Sequence, residues 1–374
     1  MKQLIRKFIQ TFYKTLIKPI IFSMDPEKVH DGGIVLGEFF GNHLLTKKLT
    51  SSLFKYKNKS LEQNLLGIHF ANPVGLAAGY DKYARMTQIM GDLDFAFEEV
   101  GSISDKPSEG NPKPRLWRLK KSRGLIVGYG LNNQGAKAIA EKFKNLKFDI
   151  PVGISIVKTN SPQVIALENS ITDIVGGFKT LLNYGDYYTF NISCPNTVGE
   201  GLFYNPENLE VALKEITKLN ITKPIFIKMP PDISFQVIDE IIGLSRKYKI
   251  KGFILSNIVK HREMMENFDE KELRETDLGK GSISGKPVEE LSNNLIKYVY
   301  QKTGKEFVII GCGGIFSAED AYKKIRLGAS LVQLITGMIF EGPQLIGQIN
   351  YGLAKLLEKD GFKNISEAVG ADNK

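Results

Sequence analysis

Apolar positions 4, 5, 8, 9, 12, 13, 16 and 17 and polar positions 3, 7, 10, 11, 14, 15 and 18 fall on two opposed arcs at about 100° per residue, so the spacing predicts an amphipathic helix over 3–18. Arg6 alone intrudes on the apolar arc, and Pro19 is expected to stop the helix at Lys18. About 24 Å of helix can lie on a membrane but is too short to cross it. A second helix is expected after Asp25 as N-cap with Pro26 in first position, carrying Val29, Ile34, Leu36, Phe39 and Phe40 for burial. Gly41-Asn42 breaks it, a third pattern runs from Leu44 to Phe54, and lysine-rich residues 55–59 read as a solvated linker. From Gly67 onward, apolar runs bounded by Gly, Pro or Asn alternate with helical stretches, at 74–78, 95–100, 152–157, 187–192, 225–229, 252–255, 307–310 and 330–335. Eight strands alternating with helices predict an α/β fold, a (β/α)8 TIM barrel with a small N-terminal helical cap, better than a doubly wound sheet. The expected divisions are a membrane-associating helix (1–22), the cap (23–60), the barrel (61–356) and a C-terminal tail (357–374).

Composition narrows this picture. Apolar residues at 42% and charged residues at 24% describe an ordinary globular chain. Two cysteines cannot build a disulfide framework, and four scattered histidines give no metal-ligand cluster, so no metal is expected and a reducing compartment is implied. The net charge of +9 is concentrated at the start: Lys2, Arg6, Lys7, Lys14 and Lys18 precede any acid. A nucleic-acid protein spreads its basic face over the folded body, so the basic arm favours an anionic membrane surface and no nucleic acid. A helix packed on the body and a transit peptide are the other readings of the same segment, the latter weakened by lysine in place of arginine and by scarce serine.

Barrels place their chemistry at the C-terminal ends of their strands. Those ends read Ala77-Ala78-Gly79-Tyr80-Asp81-Lys82, then Asn191-Ile192-Ser193-Cys194-Pro195-Asn196, then Lys228, then Ser256-Asn257. Asparagine amides offer donor and acceptor together, so a set of them suits a planar ring with alternating C=O and N–H groups, and the lysines suit an anion. The seventh run ends Gly311-Cys312-Gly313-Gly314 and the eighth Thr336-Gly337, the positions of the common barrel phosphate site, so a phosphate-bearing cofactor is implied.

In series, residues 71–82, 191–197, 281–288 and 309–343 resemble the dihydroorotate dehydrogenases, FMN enzymes on a (β/α)8 barrel that oxidise dihydroorotate to orotate in pyrimidine synthesis. The resemblance covers the chain from Asp25 to about Ile349. It is closest to class 2, the membrane-associated quinone-linked branch, through Asp25-Pro26-Glu27, His30 and the stretch from Gly110-Asn111-Pro112 to Arg118-Leu119. It implies FMN at Ala77, Ala78, Gly79, Ser102, Asn191, Lys228, Ser256, Gly285, Gly314 and Thr336, with Gly313 and Gly337 beside the phosphate. Lys82 would neighbour the flavin and the substrate carboxylate, and Asn191, Asn196 and Asn257 would bond the pyrimidine ring. Cys194 falls at the general base, and His30 and Arg118 would line the quinone path. The implied location is peripheral, on the cytoplasmic face of the cell membrane, or on the mitochondrial inner membrane in a eukaryote.

The departures from the pattern are specific. Cys194 stands where class 2 uses serine and class 1 cysteine, whose free pKa of about 8.5 lies near physiological pH. Val127 occupies the place of a substrate-binding asparagine, Ile258 follows Asn257 in place of threonine, Ile335 replaces a tyrosine, and Ser155 stands at a common FMN-contacting asparagine. The mouth is therefore more apolar than the family pattern. Two alternatives stay open: an FMN-dependent dehydrogenase or ene-reductase of a different cyclic amide or enone, with Tyr80 or Tyr129 compensating for the lost amide if the substrate is unchanged, and a membrane-bound flavoprotein without turnover.

Overall fold

The computed structural model describes residues 2–193, 196–199, 201–276 and 281–373. Residues 2–23 form one continuous rod: α1 (Lys2–Phe12), a wide π turn over Tyr13–Ile17, and α2 (Lys18–Ser23). The expected stop at Lys18 is thereby corrected. Lys18 donates its N–H to Tyr13 O, and the widened turn puts Pro19 in the first turn of α2, where its missing N–H strands no partner.

The rod docks through a few polar residues and through Phe22, which is buried edge-on against Phe340. Arg6 is fully buried and donates to Phe54 O (2.8 Å), Leu53 O (3.3 Å) and Gly347 O (3.4 Å). Gln10 Nε2 donates to the Glu341 carboxylate at 3.0 Å, and the Tyr13 hydroxyl to Ile339 O at 2.7 Å. Leu4 and Phe8, at 73% and 70% exposure, face outward with Phe12, Leu16 and Ile20. Next comes α3 (Pro26–Asn42), which starts at the expected cap, the Asp25 carboxylate accepting from Lys28 N–H at 2.9 Å. It is followed by α4 (Leu44–Phe54). On α3, Ile34 is buried, but Leu36 and Phe39, expected inside, are exposed; they lie about 200° and 140° around the helix from Ile34, off the stripe that meets the body. No helix of the described residues is long and apolar enough to cross a membrane.

All eight expected runs form the closed barrel. Ahead of it, β1 (Gln63–Leu65) and β2 (Ile68–Phe70) make an antiparallel hairpin. The barrel opens with β3 (Val74–Leu76) and β4 (Phe97–Ile103), after which β5 (Leu116–Leu119) and β6 (Gly124–Val127) leave it. It continues through β7 (Val152–Ile156), β8 (Tyr187–Asn191), β9 (Ile225–Met229) and β10 (Gly252–Leu255). Here β11 (Ser282–Gly285) pairs with β6 in a three-stranded antiparallel sheet, and β12 (Val308–Cys312) and β13 (Leu331–Leu334) complete the ring, Val332 of β13 lying opposite Val74 of β3. Parallel strands covered on both faces need near-continuous apolar runs, which is why these were visible in the sequence. Phe97, Tyr187, Phe226, Ile254, Ile310 and Leu331 fill the interior. Phe70 of the hairpin joins this cluster, edge-on to Phe97 at 5.3 Å.

Of the segment 357–374 expected as a tail, residues 357–373 finish the helix Leu345–Asp360 and return through the short helix Ile365–Ala368. Leu357, Ile365 and Ala368 are buried in the main core, a contact too brief to register as a periodic pattern.

Candidate active site

The ends of the barrel strands wall one cavity of about 760 Å³, which continues between the cap helices. Every site residue expected from the sequence lines it except Cys194, which lies outside the described residues. At the end of β3, Ala77, Ala78 and Gly79 form one wall, and Gly79 N–H donates to Gly101 O at 2.7 Å. The following loop is folded around the Asp81 carboxylate, which accepts from Arg85 N–H (2.9 Å) and Met86 N–H (2.6 Å) and so fixes the neighbouring Lys82.

A row of polar side chains crosses the strand ends. Ser155 Oγ lies 2.7 Å from Ser102 Oγ, which accepts from Asn191 Nδ2 at 2.9 Å. Asn191 Oδ1 in turn accepts from Ser193 N–H and Oγ, each at 3.1 Å, and Asn257 Nδ2 donates to Ser193 O (2.9 Å) and Oγ (2.8 Å). Such a chain holds both asparagines in one orientation while Asn191 keeps a second N–H for a ligand. Ser256 is fixed from behind by its N–H on Cys312 O at 2.9 Å.

Asn196 behaves differently. Its Nδ2 donates to Val127 O at 2.8 Å and its Oδ1 accepts from Ser282 Oγ at 3.2 Å, so its amide fastens β6 and β11 across the mouth. The Val127 side chain lines the cavity, where it offers no hydrogen bond.

On the opposite wall, Gly285, Gly313 and Gly314 have φ of +94°, +114° and +75°. A Cβ at Gly285 would lie 2.4 Å from Arg123 O and one at Gly337 2.0 Å from Ile315 O, so these loops stay bare of side chains and can approach a ligand through main chain. Thr336 Oγ1 is held 2.9 Å from Ser284 Oγ.

Two lysines face this space from the interior. Lys228 and Lys82 are both buried, and among the described residues neither has an acidic partner within salt-bridge distance. Burial pushes Lys82 down to about 7, with the Arg115 guanidinium adding to the effect. Its Nζ lies 3.1 Å from the centroid of the Tyr129 ring. Burial also pushes the Cys312 thiol up.

The cap closes the other end. His30 Nε2 donates to Tyr80 O at 3.0 Å, and burial, aided by the Lys82 charge, pushes its imidazole down against the pull of Asp31 at 3.2 Å from Nδ1. Arg118 Nη1 donates to Met24 O at 2.8 Å and its guanidinium sits 4.7 Å from the Phe22 ring. The part the residue patterns gave no hint of is the buried pair of Arg115 with Glu27 (2.9 Å), which pins α3 to the barrel. Its partners lie 88 positions apart, and the only trace in the sequence is an acid and a base inside two separate motifs.

The donor set fits a flavin nucleotide: bare glycine loops for a phosphate, a fixed row of amides and hydroxyls for a ring edge, and unpaired buried ammonium groups that call for an anion. Fold and site together define a flavin-dependent barrel oxidoreductase. The family model described as dihydroorotate dehydrogenase matches residues 60–357, and the chain belongs to that family. The chain is 39% identical to the dihydroorotate dehydrogenase (quinone) of Trichodesmium erythraeum, over 97% of this chain and 99% of that one. To the protein of the same name from Crocosphaera subtropica it is 41% identical over 85% of each. Among solved structures, ligand-free DHODH from Eimeria tenella superposes with a TM-score of 0.83 at 27% identity, covering 94% of this chain and 100% of that one.

Proposed function

We propose that the protein oxidises dihydroorotate to orotate with FMN and delivers the electrons to a quinone at a membrane surface. The observation that carries this reading is the continuity of one cavity, polar at the strand ends and apolar where it runs between α2 and α3 past His30 and Arg118. A water-soluble ring and a lipid-soluble acceptor can reach the same centre from its two ends.

In this reading Lys228, Ser102 and Asn191 hold the flavin ring, while the loops at Gly285, Gly313, Gly314, Thr336 and Gly337 hold its phosphate. FMN, when bound, accepts a hydride from the substrate and passes two electrons on. Lys82 holds the substrate carboxylate, Asn191 and Asn257 orient the pyrimidine, and Cys194 as thiolate takes the proton from C5. The exposed apolar residues of the rod, Leu4, Phe8, Phe12, Leu16 and Ile20, with Arg6 turned inward as its anchor, support peripheral attachment: on the cytoplasmic face of the cell membrane, or on the inner mitochondrial membrane in a eukaryote.

Anaerobic titration of the purified flavoprotein with dihydroorotate should bleach its yellow colour, and a short-chain ubiquinone should restore it. A protein that stays oxidised with dihydroorotate sinks the proposal.

One observation favours a second reading, a dehydrogenase or ene-reductase of another cyclic amide or enone: Val127 is apolar and the Asn196 amide is occupied by its carbonyl. If dihydroorotate is the substrate, Val127→Asn should lower its KM several-fold by supplying about 1 kcal/mol of hydrogen bonding. A raised KM, with bleaching by a different ring, selects the second reading. Bleaching by no donor would leave the flavoprotein without turnover.

A further inference from the structure

Away from the active site, a groove of about 640 Å³ opens between the first turn of α1 and the outer edge of α4. Five ammonium groups line it: Lys2, Lys47, Lys48, Lys55 and Lys57. Two are partly neutralised, Lys55 by Asp92, which itself lines the groove, at 3.1 Å, and Lys47 by Asp149 at 2.8 Å and Asp92 at 3.9 Å. Lys2, Lys48 and Lys57 have no ion pair or hydrogen-bond partner from their side chains among the described residues, so the groove carries an excess of positive charge. Ser51 and Ser52 stand between the lysines.

The rim of the groove is apolar. Leu44 lines it and is 75% exposed, and Leu45 beside it is 83% exposed. Leu49, one turn on, is exposed as well, as are Leu4 and Phe8 of α1. Unpartnered cations bordered by bare leucines match neither a solvated face nor a site for a free anion, which has no use for the leucines. They match the two parts of an anionic lipid.

We propose that this groove binds the phosphate headgroup of an anionic phospholipid, with the acyl chains lying along Leu44, Leu45 and Leu49. This rests on the membrane-surface reading above and adds a specific contact to it: the headgroup clamps α1 to α4 and sets the tilt at which the cavity mouth meets the bilayer.

The test uses the full-length flavoprotein and sedimentation with vesicles of phosphatidylcholine alone or mixed with phosphatidylglycerol. The wild type should favour the anionic vesicles. Lys48→Gln with Lys57→Gln should weaken that binding about tenfold or more, while bound flavin reports an intact fold. Lys137→Gln with Lys297→Gln removes the same charge from the barrel helices and should change binding less than about twofold. Equal losses in the two pairs would show a general charge effect and overturn the groove. So would equal wild-type binding to both vesicles, which leaves the membrane reading standing. Binding to neither vesicle defeats both. Competition by inorganic phosphate at matched concentration would mean a free-anion site in place of a lipid site.

Discussion

Lys82 occupies a part of the cavity that disfavours its charge, and the ring of Tyr129 at 3.1 Å offsets this in the free protein together with the charges of Glu27 and Asp31. Two predictions follow from that pairing. With a pKa of about 7, the ammonium is complete below about pH 6 and lost as pH rises. If it grips the substrate carboxylate, KM for dihydroorotate should be flat below about pH 6 and climb above about 7, approaching tenfold per pH unit. A KM that is level up to about pH 9 would remove Lys82 from that role. Replacing the ring tests the other half: Tyr129→Leu should raise KM about fivefold with little change in kcat, from the loss of about 1 kcal/mol, while Tyr129→Phe keeps the aromatic face and stays near wild type. Equal effects of Leu and Phe would point to the hydroxyl instead. At this scale the sequence disclosed Asn191, Lys228 and Asn257, because strand ends of a barrel converge whatever the loops do. It concealed the engagement of Asn196, because that depends on where the Val127 carbonyl points, and a carbonyl leaves no mark in the residue pattern.

Helices and strands were visible to different degrees for a physical reason. A strand covered on both faces must be apolar throughout, so its position and extent can be read directly, and the eight runs became the eight barrel strands. An amphipathic helix reports two faces without saying which meets the protein. In α1 the buried face is the one with Arg6 and Gln10, and the apolar arc points away. Arg6 was an intruder in the sequence pattern, yet it is the anchor, capping the last carbonyls of α4. Arg6→Ala should therefore leave buried carbonyls unpaired and weaken docking of α1 by about 2–3 kcal/mol. Limited trypsin digestion should then cut at Lys7 and Lys14 much faster than in the wild type, while bound flavin is retained. Unchanged digestion would mean that the apolar contacts of the rod suffice to hold it. Pro19 carries a similar lesson: a single wide turn ahead of it lets the helix pass a residue that ordinarily ends one.

Across the whole molecule, cap and barrel meet at Glu27. Its carboxylate pairs with Arg115 at 2.9 Å and with Lys113 at 3.1 Å. Arg115 also donates to Glu109 O at 2.8 Å and Asn111 O at 3.0 Å, and its guanidinium stands 5.1 Å from the same Tyr129 ring that Lys82 faces. The cap thus supplies the negative charge that balances a cationic wall of the cavity. Removing it should act on both parts. In Glu27→Gln the guanidinium remains buried without its counter-charge, a defect that weakens cap docking by about 3–5 kcal/mol. Hydrogen exchange across α3 should accelerate. The flavin does not depend on this pair, so its reduction by dihydroorotate should survive, with a raised KM because the Lys82 ammonium loses a supporting charge, while reoxidation by quinone slows because the apolar half of the cavity is no longer enclosed. The two half-reactions, followed separately by stopped-flow absorbance, discriminate: loss of the reductive half with a normal oxidative half would mean that Glu27 acts on the substrate end through Arg115 and Lys82, and that the cap is held in place by its apolar contacts alone.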